Sequence, residues 1–212
     1  MWFATHDGLN RYDGYRFTVY KNDQQDSTSI ADNLIRKVYT DSKGGLWIGT
    51  DKSLSFYDRD KEIFRNYKTG GKSVTSITDI DGSGRLLVAV GGSIRIFDPL
   101  KHQWMDFTSA AQKESFGAKI LYNSGDKIFI GTDNGLFQYI PASNELTKIP
   151  QFTSRKSIQC IIMDGEGYLW VATEGDGRTE IMRCNKTEYQ HKSYSCNNVI
   201  FQDRQQRPAG CP

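Results

Sequence analysis

Asp41-Ser42-Lys43-Gly44-Gly45-Leu46-Trp47-Ile48-Gly49-Thr50, followed by Leu54-Ser55-Phe56-Tyr57-Asp58, is the stretch that decides the fold. Two apolar runs, each too short for a helix, lie either side of a polar step at Asp51-Lys52. Residues 34–39 alternate in character before them, and residues 63–67 supply a further run after them. Four short runs bounded by Gly, Asp and Ser read as four strands. Gly44-Gly45 suits the positive φ that a tight hairpin needs, and Asp41 and Ser42 can bond the turn backbone through their side chains. No stretch of the chain sustains a 3.6-residue apolar rhythm with caps, so helix is expected to be minor.

Working outward, the phrase returns on both sides. It stands as Trp2-Phe3-Ala4-Thr5 with Gly8-Leu9 and Tyr12-Asp13, and as Leu87-Val88-Ala89-Val90 with Ser93-Ile94 and Phe97-Asp98. It stands again as Phe129-Ile130-Gly131-Thr132 with Gly135-Leu136 and Tyr139, and as Trp170-Val171-Ala172-Thr173 with Ile181 and Cys184 after a longer turn. Successive copies are 45, 40, 42 and 41 residues apart. A period of about forty residues marks an architectural repeat. Four antiparallel strands per repeat describe the blade of a β-propeller, whose sheets pack radially around a channel. Gly49, Ala89, Gly131 and Ala172 share one position beside a bulky residue, the large-and-small pairing that a wedge between blades requires. A β-sandwich, the runner-up, gives no reason for one phrase to recur at a fixed interval.

The fold expected is therefore all-β, a propeller of four-stranded blades with about five blades present as a partial ring. The blades fall near residues 1–30, 31–70, 71–112, 113–152 and 153–195 of a single domain. Residues 196–212 read as the start of a further blade or as a closing strand. The first copy has no strand ahead of Trp2 matching residues 34–39, while 198–203 resemble such a strand. Two readings stay open: a five-bladed ring closed by its own tail, or a piece of a larger ring, which the family resemblance below favours. An unclosed arc would leave a blade face uncovered and lead to self-association through the terminal blades.

With 27 Lys plus Arg against 25 Asp plus Glu, scattered throughout, the chain lacks the concentrated basic face that nucleic-acid binding uses. No apolar run is long enough to span a membrane as a helix. The cysteines, Cys160, Cys184, Cys196 and Cys211, have no metal-ligand spacing; Cys160 reads as a small buried hydrophobe, and a bridge between Cys184 and Cys196 is left open. His6, His102 and His191 occupy non-equivalent positions without a catalytic motif around them, so no cofactor or metal is expected.

Binding residues are instead expected on the rim formed by the loops between second and third strands. These carry His6, Asp7, Asp51, Lys52, Asp133, Asn134, Glu174, Asp176 and Arg178, carboxylates, amides and cations suited to a polyhydroxylated ligand. The same residue types also serve any tight turn.

The segments Asp41 onward quoted above and Met1-Trp2-Phe3-Ala4-Thr5-His6-Asp7-Gly8-Leu9-Asn10-Arg11-Tyr12-Asp13-Gly14 resemble two-component regulator propeller repeats. These build the periplasmic sensor halves of hybrid two-component histidine kinases in gut Bacteroidetes. The resemblance implies a periplasmic, oligosaccharide-binding sensor portion that regulates polysaccharide utilisation, with no enzyme activity in this stretch. It supplies no binding residue at matching positions. A protein-interaction scaffold and a small propeller lyase or lactonase are the alternatives; the latter calls for His and Glu on the first strands, where residues 35–39, 74–80, 119–122 and 158–163 have neither.

Overall fold

The computed structural model describes residues 1–108, 117–152, 157–175, 178–185 and 192–195, in which the only helical element is a 3-10 turn at Pro150–Phe152. Strands β1 (Trp2–Thr5), β2 (Gly8–Tyr12) and β3 (Phe17–Tyr20) make a three-stranded sheet. Four four-stranded sheets follow. The second blade comprises β4 (Ile35–Thr40), β5 (Leu46–Thr50), β6 (Ser53–Asp58) and β7 (Ile63–Lys68). The third comprises β8 (Val74–Asp79), β9 (Leu86–Val90), β10 (Ser93–Asp98) and β11 (Gln103–Asp106). The fourth runs through β12 (Ile120–Asn123), β13 (Ile128–Thr132), β14 (Gly135–Ile140) and β15 (Glu145–Lys148). The fifth runs through β16 (Ser157–Met163), β17 (Tyr168–Gly175), β18 (Arg178–Asn185) and β19 (Lys192–Ser195).

All pairings are antiparallel between sequence neighbours. The first strands β4, β8, β12 and β16 lie side by side, and β1 lies against β4. The five sheets form an arc, without a closed ring among the described residues. The first blade matches the others through its second, third and fourth strands, as expected from the sequence. The segment 198–203 lies outside the described residues. No described helix is long and apolar enough to cross a membrane.

Several hairpins of the repeat phrase are held by a specific side chain. The Asp41 carboxylate accepts the Gly45 and Lys43 amides at 2.7 and 2.9 Å through Oδ1, and the Trp47 indole N–H at 2.7 Å through Oδ2. Asp164 repeats this in the fifth blade, with the Tyr168 and Glu166 amides at 2.8 and 3.0 Å and Trp170 Nε1 at 2.8 Å. At the opposite end of the second strand, Thr50 Oγ1 accepts the Ser53 amide at 3.0 Å and donates to the Ser53 carbonyl at 3.1 Å. Thr5 and Thr132 donate likewise to the carbonyls of Gly8 and Gly135 at 2.7 and 2.8 Å.

Packing between blades follows the large-and-small pairing. Trp47 and Leu54 of the second blade cluster with Val74, Ile77, Leu86, Val88 and Phe97 of the third. A Cβ added at Gly49 would lie 2.7 Å from both Val74 Cγ1 and the Val74 carbonyl oxygen, and one at Gly131 would lie 2.7 Å from Ile158 Cγ2. The missing side chain is thus the seat for a β-branched residue of the next blade. Ala89 takes up part of that room, in a cluster with Ala118, Leu121, Ile128 and Ile130 of the following blade. Each fully buried Leu, Phe or Ile at these faces contributes about 1.5–3 kcal/mol. Cys160, expected to be buried, is a free half-buried thiol. Cys196 lies outside the described residues, and so does the bridge it would form.

Candidate functional site

Loops joining second to third strands and connections leading into first strands meet on one rim. Backbone bonds hold them together: the amides of Asp51, Gly91 and Asp133 donate to the carbonyls of Leu34, Ser73 and Gly117 at 3.1, 2.9 and 3.3 Å. Here the first strands are irregular. Register shifts between Ile35 and Lys37, Val74 and Ser76, and Ile158 and Cys160 leave Arg36, Thr75 and Gln159 as the extra residues of β-bulges. Lys119 stands in the corresponding place ahead of Ile120, its amide bonded to the Gly131 carbonyl at 2.9 Å.

A bulge re-aims a side chain, and at this rim three of the four reach the residue that follows the repeat-phrase Thr in their own blade, a loop residue in the second and fourth blades but in the fifth Glu174, which lies within β17 paired with Thr179 and not on a loop as expected. Arg36 donates through Nε and a terminal nitrogen to Asp51 Oδ1 at 3.1 and 2.8 Å. The Lys119 ammonium is 2.5 Å from Asp133 Oδ1. Gln159 Nε2 donates to Glu174 Oε2 at 2.9 Å. In the third blade the loop residue is Gly91, and Thr75 Oγ1 is buried with no hydrogen-bond partner among the described residues. The ladder of paired polar groups therefore has one open rung.

Ser157 links the fourth and fifth blades. Its hydroxyl donates to Asp133 Oδ1 at 3.2 Å and lies 2.9 Å from Lys119 Nζ and 3.3 Å from Gln159 Nε2. Lys119, Asp133, Ser157, Gln159 and Glu174 thus form one continuous polar chain across two blades, with both charge signs and both donors and acceptors exposed along it.

The expected site residues divide accordingly. Asp51, Asp133 and Glu174 come into equivalent rungs. Lys52 turns to Asp32, with 3.1 Å between Nζ and Oδ2. Burial raises the Asp32 carboxyl, but the Leu34 amide and the Lys52 ammonium outweigh it and hold the group below its ordinary value. Asp7 pairs with Lys21 at 2.7 Å on the first blade, and His6 is exposed beside it in the position equivalent to Asp51. Asn134 is exposed, its amide tied to Thr132 Oγ1 at 3.0 Å as a turn residue. Arg178 opens β18 opposite Gly175, and Asp176 lies outside the described residues. Arg36, Thr75, Lys119, Ser157 and Gln159 are the rim residues that the loop-based reading missed. Among the described residues no three His, Cys, Asp or Glu side chains converge as metal ligands.

An arc of four-stranded antiparallel blades with first strands side by side, bearing a polar loop rim, is β-propeller architecture. Residues 29–52 and 153–175 match the family described as Two component regulator propeller. Over 31 residues, 15% of this chain and 2% of the relative, the sequence is 52% identical to Histidine kinase P4 of Formosa agariphila. Two extracellular domains assigned to hybrid two-component systems of B. thetaiotaomicron superpose on the chain. One has a TM-score of 0.73 at 23% identity, covering 94% of this chain and 30% of that one. The other has a TM-score of 0.71 at 24% identity, covering 92% and 28%. At this identity the likeness is one of fold, and this chain spans less than a third of either domain.

Proposed function

We propose that this chain is part of the extracytoplasmic, periplasmic ligand-sensing propeller of a hybrid two-component system, and that it takes an oligosaccharide on the rim described above. The family repeats at 29–52 and 153–175 support the sensor assignment. The observation carrying the ligand assignment is the exposed polar chain from Lys119 to Glu174. A sugar presents hydroxyls that donate and accept at short intervals, and a run of alternating acids, amides and cations answers them. On this reading the chain binds and does not catalyse, and the response that follows binding is regulation of polysaccharide utilisation.

The test is thermal denaturation against a panel of plant and host oligosaccharides, since a ligand selective for the folded state raises its stability. One glycan class should raise the midpoint, and the shift should fall in Gln159→Ala and Ser157→Ala variants that melt normally without ligand. No shift with any glycan would leave an interaction scaffold as the better account. Stoichiometric divalent metal with lactone turnover would establish the lactonase alternative instead.

A further inference from the structure

Among the rim loops, that of the fourth blade places an asparagine ahead of a glycine, and Asn134-Gly135 is the single Asn-Gly step in the chain. The fold itself demands the glycine. Its φ is +114°, and a Cβ there would strike the Phe152 carbonyl oxygen, so the nitrogen that follows Asn134 has no side chain beside it as a shield. The asparagine is not tied down. Asn10, Asn22, Asn33, Asn66, Asn123 and Asn144 each use a side-chain atom in a hydrogen bond. The Asn134 side chain is exposed and makes none among the described residues, only its backbone amide being held, by Thr132 Oγ1 at 3.0 Å.

We propose that Asn134 is a site of spontaneous backbone modification, in which its side-chain amide cyclises onto the Gly135 nitrogen and the ring reopens as aspartate or isoaspartate. The Gly135 nitrogen forms a bond to Asn134 Cγ, the Cγ–Nδ2 bond breaks, and ammonia leaves with the proton that the attacking nitrogen gives up. The five-membered imide then takes up water. Addition at Cγ restores the ordinary chain with an aspartate; addition at the main-chain carbonyl carbon leaves isoaspartate, with the chain running through Cγ. One water enters and one ammonia leaves, and nothing is oxidised or reduced. The Thr132–Gly135 pair that closes the loop must open for the attack, and as the last pair of its hairpin it is the first to fray.

The first blade shows the same place made resistant. Asp7 precedes Gly8 there, but a carboxylate paired with Lys21 at 2.7 Å is a poor electrophile, and the Gly8 nitrogen donates to the Asn33 carbonyl at 2.8 Å. In the fourth blade the change falls beside the rim's polar chain, because the neighbouring Asp133 holds Lys119 and Ser157. Aspartate at 134 puts a second negative charge into the two-residue loop. Isoaspartate lengthens the loop backbone by one carbon, and since loop length fixes hairpin register, the Asp133 carboxylate moves with it. This chemistry belongs to the loop whether or not the rim takes a glycan.

Peptide mapping by mass spectrometry, after incubation of the folded chain at neutral and mildly alkaline pH, tests it. The segment around Asn134 should gain the mass of O replacing NH, faster at higher pH because the attacking nitrogen must lose its proton, and should become a substrate for protein isoaspartyl methyltransferase. Asn123 is the internal control: its side chain accepts from the Gly125 amide and donates to the Asp79 carbonyl, at 2.7 Å each, so it should convert at least about tenfold more slowly. Asn134→Ser should remove the signal from this loop. Conversion at Asn134 no faster than at Asn123, or conversion seen only after unfolding in urea, would overturn the inference, since the hairpin would then hold Gly135 against attack.

Discussion

Gly49 and Gly131 differ from the turn glycines of this chain in what a side chain there would strike. At Gly44 a Cβ would meet nothing within 4 Å, and the residue is needed for its φ of +81°. At Gly49 and Gly131 φ is unexceptional and the space is what matters, because Val74 and Ile158 fill it. Gly49→Val should therefore destabilise the chain by about 1–3 kcal/mol through overpacking. Urea titration checks this, and a variant that also carries Val74→Ala should recover part of the loss. The four-fold recurrence of a small residue is plain in the sequence. Its partner is not, because Val74 lies 25 positions beyond Gly49 and Ile158 lies 27 beyond Gly131.

At the level of the strand and its hairpin, Asp41 and Trp47 form one unit with the turn between them. One carboxylate oxygen organises the turn amides and the other fixes the indole, so the Asp and the Trp six residues on belong together. In the fourth blade, where Phe129 replaces the Trp, the turn carries Asn123, whose Oδ1 accepts only the Gly125 amide, at 2.7 Å. Trp47→Phe leaves Asp41 Oδ2 without its partner and Asp41→Ala removes the turn bonds too. Each should destabilise by about 1–3 kcal/mol. The double variant should fall short of their sum, with a coupling of roughly 0.5–3 kcal/mol read by chemical denaturation. The hairpins were legible in the sequence because Gly and Asp announce them locally. The rim bulges left a fainter signal: Ile35-Arg36-Lys37-Val38, Val74-Thr75-Ser76-Ile77 and Ile158-Gln159-Cys160-Ile161 each separate two apolar residues by three positions inside a strand, which a regular pleat would send to opposite faces.

Across the whole molecule, stability of a repeat array is distributed as a sum of blades and the interfaces between them. The second, third and fourth blades have neighbours on both faces, while the first and fifth have one each in the described structure. Amide hydrogen exchange should accordingly be slowest in β5, β9 and β13, where every residue is buried, and faster in β1–β3. Uniform protection across all five sheets at low concentration would mean that both terminal faces are covered.

The sequence by itself determined the repeat, the strand count of each blade and the hairpin chemistry. Those depend on residues within a few positions of one another, where local backbone preference and side-chain reach decide the outcome. Only the tertiary structure decided which side chains share a rung of the rim and that Thr75 is left without one. Those facts depend on bulge register and on the packing of blades some forty residues apart, which no local pattern encodes.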